Sequence, residues 1–308
     1  EPPQGEDSDN FALAQTAWLA DRYAMAELPS VSSLNALRCL LIPNASDAHP
    51  GCKTVAASQT YARQRSATTT LAGYGAPTLL GSGEDRAALP DLAGKMYKGN
   101  LVDPEKLRRL AYLPATKTEL EAVSRAFGDK ALILTGDAST ETAVKASTAL
   151  TGARFIMFST HGLIATEVGS NAEPGLVFTP PEAATELDDG LLSSSEAAQL
   201  RLSADLVVLS ACNTAASDGT PGAEGLSGLA RAFFFAGARS LMVSHWSVSD
   251  NATSILMTQT FTHIQQGDVA DRARALQTAM MEVRTLDGFE FANPVYWAAF
   301  TLVGEPTK

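Results

Sequence analysis

The sequence lacks the features that would assign it to a membrane, to nucleic acid or to a metal. No apolar run approaches the roughly 18–20 residues that a membrane-spanning helix needs. Basic residues are in deficit: 23 Lys and Arg face 34 Asp and Glu, and the resulting charge of −11 argues against nucleic acid or an anionic membrane as partner. No CxxC pair and no His/Cys spacing typical of zinc occurs, so we expect neither a metal nor a cofactor.

Several familiar catalytic signatures are also missing. There is no G-x-S-x-G elbow, no G-x-x-x-x-G-K-[ST] loop and no G-x-G-x-x-G after a strand. Their absence excludes the serine hydrolase, P-loop and dinucleotide-binding classes that carry them. A hydrolase that uses two carboxylates stays open, because nothing in the sequence pairs two particular acids.

Cysteine is scarce, and its three copies fall in two settings. Cys39 and Cys52 flank an irregular polar stretch, whereas Cys212 ends an apolar run. An odd number of cysteines fits a disulfide between Cys39 and Cys52 and one free thiol, which would indicate a periplasmic or secreted protein. Three reduced thiols would fit the cytoplasm equally well, and both interpretations stay open.

The order of the predicted elements indicates an α/β protein. We interpret residues 1–10, which are acidic and Pro-rich, as a linker or the cut end of a longer chain. Residues 11–308 are predicted to form one domain, with an N-terminal portion over 11–130 and a catalytic portion over 131–308. Strands alternate with helices in the catalytic portion and the last strand is predicted over 296–304, which indicates a mostly parallel central sheet with helices on both faces.

Two apolar runs lead to the most informative residues, A-R-F-I-M-F-S-T-H-G to His161 and Gly162, and A-D-L-V-V-L-S-A-C-N-T to Cys212. Both runs are typical of buried parallel strands, and ligands gather beyond the carboxyl ends of such strands. If the two strands are neighbours, an imidazole and a thiol face each other across one cleft. That is the minimum equipment for a cysteine nucleophile with a histidine base, and Gly162 leaves the backbone free to offer an N–H to an oxyanion.

Each of these residues also has a plainer interpretation. A free cysteine is commonly a small core residue, and a single histidine after a strand is more often structural. Cys212 differs because the Gly-rich loop D-G-T-P-G-A-E-G-L-S-G-L follows it, which leaves room for a substrate backbone. His245, at the end of S-L-M-V-S-H-W, is the runner-up base. His49 lies in the irregular stretch and His263 on a predicted surface helix.

Longer segments around these residues resemble the CHAT family of caspase-like peptidases. The resemblance covers almost all of 150–304 and rests on H-G, D-D-G-L-L-S-S-S-E, A-D-L-V-V-L-S-A-C-N-T, A-E-G-L-S-G-L-A-R-A-F-F-F-A-G-A-R-S-L-M-V-S-H-W-S-V-S-D and N-P-V-Y-W-A-A-F-T-L-V-G. It implies a caspase-haemoglobinase fold and a catalytic dyad of His161 and Cys212, with the N–H groups of Gly162 and Cys212 as oxyanion donors. As partners it implies a protein or peptide substrate and, upstream, tetratricopeptide repeats or a regulatory protein.

The resemblance also indicates where substrate specificity would arise. In caspase-like enzymes the primary pocket lies near the strand end before the cysteine and on the following strand and loop. Ser210, Trp246 and Asp250 are therefore predicted to contact substrate, and Asp189 to reach the cleft from its own loop. An acidic pocket floor would favour Arg or Lys at the cleavage position. Alternatively, Asp250 caps the helix that begins at Asn251.

The resulting prediction is a cysteine endopeptidase that a partner or upstream repeats regulate. The rival from another class is a catalytically silent scaffold that keeps the fold for protein interactions. An intact pair of His161 and Cys212 favours the enzyme, because a scaffold needs neither residue. An acyltransferase that uses the same pair is a third interpretation.

Overall fold

The computed structural model of the chain has a central sheet between two layers of helices. It describes residues 10–30, 68–81, 96–98, 101–163, 173–211, 228–246, 250–267, 271–286 and 290–306. The strands in these ranges are β1 (Leu71–Gly75), β2 (Tyr97–Lys98), β3 (Leu101–Val102), β4 (Ala131–Thr135), β5 (Phe155–Ser159), β6 (Gly162–Leu163), β7 (Gly175–Val177), β8 (Leu191–Ser193), β9 (Leu206–Ser210), β10 (Ser240–Ser244) and β11 (Phe300–Gly304). The helices are α1 (Asn10–Gln15), α2 (Pro104–Arg108), α3 (Pro114–Arg125), α4 (Glu141–Lys145), α5 (Thr148–Gly152), α6 (Ser194–Ala197), α7 (Gly228–Ala236), α8 (Asp250–Gln266), α9 (Arg272–Arg284) and α10 (Pro294–Trp297).

The central sheet confirms the predicted α/β class. Its six strands lie in the order β11-β10-β9-β5-β1-β4. Neighbouring strands run parallel from β10 through to β4, and β11 pairs antiparallel with β10. A small antiparallel sheet of β6, β7 and β8 lies beyond the end of β5. Since the parallel strands all end on one side, that side is called the carboxyl end of the sheet below.

Helices cover both faces of the sheet, as the unbroken apolar runs predict. Successive side chains of a strand point to opposite faces, so Ile156 and Phe158 of β5 join a core with α4 to α7. Phe155 and Met157 join a second core, on the other face, with α3, α8 and α9. Every residue of β5 and β9 is buried. This double coverage explains why both strands lack the alternation of a half-exposed strand.

Strand β1 ends where its backbone comes very close to β5. A Cβ atom on Gly75 would lie 2.0 Å from the carbonyl oxygen of Ser159, so only glycine fits at this position. Ala76 has a positive φ of 45°, and its N–H donates to the same carbonyl oxygen at 3.0 Å. The chain therefore leaves the sheet directly beside the end of β5.

The predicted last strand is wrong in its first part. The strand begins only at Phe300, because α10 occupies the residues just before it. Asn293 caps this helix by accepting the N–H of Val295 at 3.0 Å, and a proline stands in its first turn. Both features favour a helix start over a strand. Periodicity does not separate helix from strand in so short an apolar segment.

Some sequence predictions lie outside the described residues. They include Cys39, Cys52, His49 and Cys212, so the disulfide stays a prediction, as do the boundaries of the domain and its two portions. Where the chain is described, no helix has the length and apolar character to cross a membrane. The same residues contain no cluster of three or more His, Cys, Asp or Glu side chains that suits a metal ion.

Candidate active site

The strands that precede His161 and Cys212 are neighbours in the sheet. β5 and β9 pair in parallel, with Ser159 directly opposite Ser210, and the N–H of Thr160 donates to the Ser210 carbonyl oxygen at 3.3 Å. His161 stands two positions after Ser159. Cys212, which lies outside the described residues, stands two positions after Ser210 in the sequence. The condition on which the sequence analysis based its dyad, that these two strands are neighbours, is thus met.

The His161 ring is buried and held by a backbone carbonyl group. Its side chain is 6% exposed, and Nε2 lies 2.7 Å from the carbonyl oxygen of Ala111. A carbonyl oxygen only accepts, so Nε2 carries the proton in this bond. In the neutral ring, Nδ1 is then the basic nitrogen. The Ala111 carbonyl group therefore selects both the orientation and the tautomer of His161.

The carbonyl group of Ala111 is held in place by a short bridge to Gly81. The N–H of Gly81 donates to the Leu110 carbonyl oxygen at 3.1 Å, and the N–H of Tyr112 donates to the Gly81 carbonyl oxygen at 3.0 Å. A Cβ atom on Gly81 would lie 2.1 Å from the Arg109 carbonyl oxygen, so this close pairing requires glycine. Gly81, in the segment that follows β1, thus holds the backbone around Ala111, whose carbonyl group binds His161.

The backbone around His161 is fixed by the small sheet beyond β5. The N–H of Val177 donates to the His161 carbonyl oxygen at 2.9 Å, and Gly162 lies opposite Leu176 in the β6–β7 pair. Antiparallel pairs alternate between hydrogen-bonded and non-bonded positions. The bond at position 161 therefore makes Gly162 and Leu176 a non-bonded pair, in which the Gly162 N–H points away from β7.

A buried carboxylate, that of Glu119 on α3, lies against the ends of β5 and β9. Its side chain is 3% exposed, and Oε1 accepts a hydrogen bond from the Ser210 hydroxyl at 2.9 Å. The Ser159 hydroxyl donates to Oε2. One carboxylate therefore joins the last residues of the two strands that lead to His161 and Cys212.

The structure gives other predicted residues of this region defined partners. Ser210, predicted to contact substrate, is 9% exposed and donates to Glu119. Trp246 is partly buried, and its Nε1 donates to the Val295 carbonyl oxygen at 2.9 Å. The ring of His245, the runner-up base, has Nε2 3.0 Å from the Thr301 hydroxyl on β11. Since β9 and β10 separate β11 from β5, His245 is engaged away from His161.

The carboxylate of Asp189 is engaged by the backbone. Oδ2 accepts the N–H of Val102 at 2.8 Å, and Oδ1 accepts the N–H of Leu191 at 3.1 Å. Burial raises the pKa of Asp189 above its ordinary value. These bonds give Asp189 a role in holding its loop, and its contact with substrate stays a prediction. Asp250 is the first residue of α8, but its side chain lies outside the described part, so its contact with substrate and its role as a cap also stay predictions.

The same loop is held by a second buried carboxylate at the carboxyl end of the sheet. Glu141, which is the first residue of α4, accepts the N–H groups of Asp189 at 2.9 Å and Gly190 at 3.0 Å. Lys145 forms ion pairs with Glu141 and, at 2.6 Å, with Glu196. Burial raises the pKa of Glu141 to about 7, despite the lowering effect of Lys145. The motif D-D-G-L-L-S-S-S-E is thus anchored by Glu141.

Sequence reasoning missed Glu119 and the carbonyl group of Ala111. For Glu119 a signal was present: it stands four residues before Val123 on α3, and both lie on the buried stripe of this helix. A charged residue on such a stripe needs a polar partner. For Ala111 no signal exists in the sequence, because every residue has a carbonyl group.

Comparison with known proteins gives the family to which this arrangement belongs. A model of the CHAT domain matches residues 6–305. The mouse tetratricopeptide repeat protein 28 is 28% identical over 97% of this chain, and the human protein of the same name is 28% identical over 64%. The chain spans only 12% of the mouse relative and 9% of the human one.

Two solved structures were compared with the fold of this chain. The separase–securin complex of Saccharomyces cerevisiae aligns with 97% of this chain and 15% of its own, at 14% identity and a TM-score of 0.51. The Arg specific cysteine proteinase gingipain R covers 80% of this chain and 50% of its own, at 12% identity and a TM-score of 0.45. The first match supports a shared fold, and the second is too distant to carry an argument.

Proposed function

The chain belongs to the CHAT domain family, and from this premise we propose that it is a cysteine endopeptidase that uses His161 and Cys212. The observation that carries the proposal is the register of β5 and β9, in which Ser159 lies opposite Ser210. Each proposed catalytic residue follows its serine by two positions. Parallel strands end on the same side, and each residue follows the carboxyl end of its strand in the sequence, which is the side where chemistry gathers in α/β proteins.

The environment of His161 suits a general base. Its Nε2 proton is engaged by Ala111, which leaves Nδ1 as the nitrogen that accepts the proton of Cys212. The resulting thiolate is the nucleophile, and the imidazolium ring holds the proton for the next step. The Ala111 carbonyl oxygen also stabilises the positive charge on the ring by accepting from Nε2.

The proposed reaction proceeds in two stages. First, Cys212 sulfur attacks the peptide carbonyl carbon, and the C–N bond breaks as His161 gives its proton to the leaving amine. A water molecule, activated by the neutral His161 ring, then attacks the thioester, which releases the carboxylic acid and restores the thiol. The N–H groups of Gly162 and Cys212 are the proposed donors to the oxyanion, and losing one such donor typically costs about 2.7–4 kcal/mol.

Substrate and partners belong to the same proposal. Ser210, Trp246 and Asp250 are proposed to contact substrate: Ser210 ends β9, Trp246 stands two residues after β10, and Asp250 begins the helix that follows. Tetratricopeptide repeats are proposed as an upstream regulatory partner, because both curated relatives carry that name. The alternative is a scaffold without activity.

The test is digestion of a peptide library, with products identified by mass spectrometry. We expect the wild type to cleave a defined set of peptides and Cys212→Ala to cleave none of them, because the nucleophile is lost. Cys39→Ser and Cys52→Ser are the matched controls, and both are expected to cleave the same set. Undiminished cleavage by a folded Cys212→Ala variant would reject the assignment. A wild type that cleaves nothing, with a Cys212 thiol no more reactive than a free thiol, would favour the scaffold.

A further inference from the structure

We propose that Glu119 is a positioning residue for His161 and Cys212, an inference that rests on the proposed function. Its carboxylate accepts hydrogen bonds from both Ser159 and Ser210, which are the last residues of β5 and β9. In this proposal Glu119 acts on the two strand ends and takes no part in the making or breaking of bonds. It acts by holding the two strand ends at a constant separation.

All three side chains of this contact are buried. Ser159 is fully buried, Ser210 is 9% exposed and Glu119 is 3% exposed. A buried carboxylate is stable only where donors replace water, and the two hydroxyl groups are such donors. Because the donors come from different strands, their common acceptor links those strands through side chains as well as through the backbone ladder.

The position of Glu119 on α3 couples this link to the His161 ring. Helix α3 begins at Pro114, only three residues after Ala111, whose carbonyl oxygen accepts from Nε2 of His161. One short segment therefore holds the imidazole at one end and the two strand ends at the other. A shift of α3 against the sheet would move both supports together. In a reaction that depends on a thiol and an imidazole in contact, a displacement of about 1 Å can cost on the order of a hundredfold in rate.

The test measures alkylation of Cys212 by iodoacetamide at pH 6, where a thiol paired with an imidazole reacts as a thiolate and an ordinary thiol is protonated. Mass mapping of the Cys212 peptide separates its labelling from that of Cys39 and Cys52. Glu119→Ala removes the common acceptor, and we expect at least a tenfold lower rate at pH 6. The conservative Glu119→Gln is expected to restore the rate to within about threefold of wild type. Its amide oxygen accepts from one serine, and its NH2 group donates to the other hydroxyl oxygen.

Glu121→Ala is the matched control on the same helix. Glu121 is exposed, and its ion pair with Lys117 is long, at 3.9 Å. We expect it to alkylate at the wild-type rate. The double variant Ser159→Ala/Ser210→Ala removes the donors instead of the acceptor, and should reproduce the loss seen with Glu119→Ala. It also decides the question if Glu119→Ala fails to fold.

A merely structural role would give a different result. It would lower the melting temperature, and any unfolding would expose the thiol and raise its alkylation at pH 9 without a selective loss at pH 6. Wild-type reactivity at pH 6 in both Glu119→Ala and the double serine variant would overturn the proposal, as would a Glu119→Gln variant as slow as Glu119→Ala. If Cys212 of a His161→Ala variant is alkylated as fast as Cys212 of the wild type at pH 6, the proposed function itself fails.

Discussion

The two ends of the central sheet are built from different side chains. At the amino end, β5, β9 and β10 are preceded by Arg154, Asp205 and Arg239 respectively. Asp205 bridges the two arginines, with Oδ2 2.9 Å from Nε of Arg154 and Oδ1 3.2 Å from Nη1 of Arg239. At the carboxyl end the same three strands finish on hydroxyl side chains, those of Ser159, Ser210 and Ser244.

Directly before β5, β9 and β10 stand charged residues that pair with one another, whereas two positions after the ends of β5 and β9 come the residues with proposed chemistry. At the amino end Arg272 is also buried; burial, and then repulsion from Arg239, lowers its pKa to about 10, so it remains a cation at neutral pH. Asp205 pairs with Arg154 and Arg239, and the Arg272 guanidinium donates to the Glu305 carbonyl oxygen at 2.7 Å. At the carboxyl end the hydroxyls of Ser159 and Ser210 donate to Glu119, and the residues with proposed chemistry follow these serines in the sequence. Variants at the two ends should therefore fail in different ways.

The largest effect is expected from the proposed base at the carboxyl end. His161→Ala should lower kcat/KM for a cleaved peptide by about 10²–10⁴-fold, which is the usual contribution of a general base. His245→Ala should change it by less than about threefold, because that ring pairs with Thr301 at 3.0 Å, beside β11. Steady-state kinetics on one peptide measures both. Equal losses of kcat/KM in the two variants would mean that the choice of His161 over His245 as the base is wrong.

At the amino end we expect a large loss of stability without a loss of reactivity. Asp205→Asn removes the charge that Arg154 and Arg239 share, and leaving a buried cation without its counter-charge costs about 3–5 kcal/mol. Urea denaturation measures the free energy of unfolding. Asp129→Asn, at an exposed site, is the control and should stay within about 0.5 kcal/mol. A slower Cys212 alkylation in folded Asp205→Asn would break the contrast between the two ends.

A smaller effect, on both stability and reactivity, is expected at Gly81. A methyl group there would lie 2.1 Å from the Arg109 carbonyl oxygen, so Gly81→Ala must displace the segment that carries Ala111. We expect a destabilisation of about 1–3 kcal/mol and slower alkylation of Cys212 at pH 6. In Gly228→Ala the nearest atom lies at 3.8 Å, and this variant should behave as wild type. If both variants match wild type, the bridge does not position His161.

The smallest effect is a pH dependence that also belongs to the carboxyl end. Because the pKa of Glu141 is raised to about 7, the folded state holds a proton there that the unfolded state has lost above about pH 4.5. Its contribution to stability is therefore full below about pH 4.5 and falls as pH rises from there to about 7. The measurement compares the free energy of unfolding of wild type and Glu141→Gln at pH 5 and pH 8. Glu121→Gln is the exposed control, and a difference independent of pH would refute the raised pKa.

Much of the fold followed from local patterns in the sequence. The runs over 155–159 and 206–210 are continuous and apolar because both faces of these strands are covered, and that pattern is visible without the structure. Helix α3, Pro114–Arg125, also agrees with a local signal, because a proline stands in its first turn. The start of the last strand was placed too early because two local signals conflict there. A helix cap at Asn293 and a proline precede an apolar segment that also suits a strand.

The candidate site was predictable only in part. Histidine and cysteine are rare residues whose side chains can act as a base and a nucleophile, so His161 and Cys212 could be singled out from residue type and position alone. The supports of His161 come from remote residues: Ala111 is fifty positions away, and Gly81 stands earlier still. Their contribution depends on backbone atoms that every residue possesses. Nothing in the identity of Ala111 marks its carbonyl group.

The sequence by itself determined the fold class, the two strands that lead to His161 and Cys212, and the family to which the chain belongs. The fold class and the strands follow from apolar periodicity, and the family follows from the resemblance of longer segments to the CHAT family; both are visible along the chain without the structure. Only the tertiary structure decided that β5 and β9 pair with Ser159 opposite Ser210, that Nε2 of His161 is engaged by a carbonyl group, and that Glu119 joins the two strand ends. Such contacts form between segments distant in sequence, because packing selects their partners after the local elements have formed.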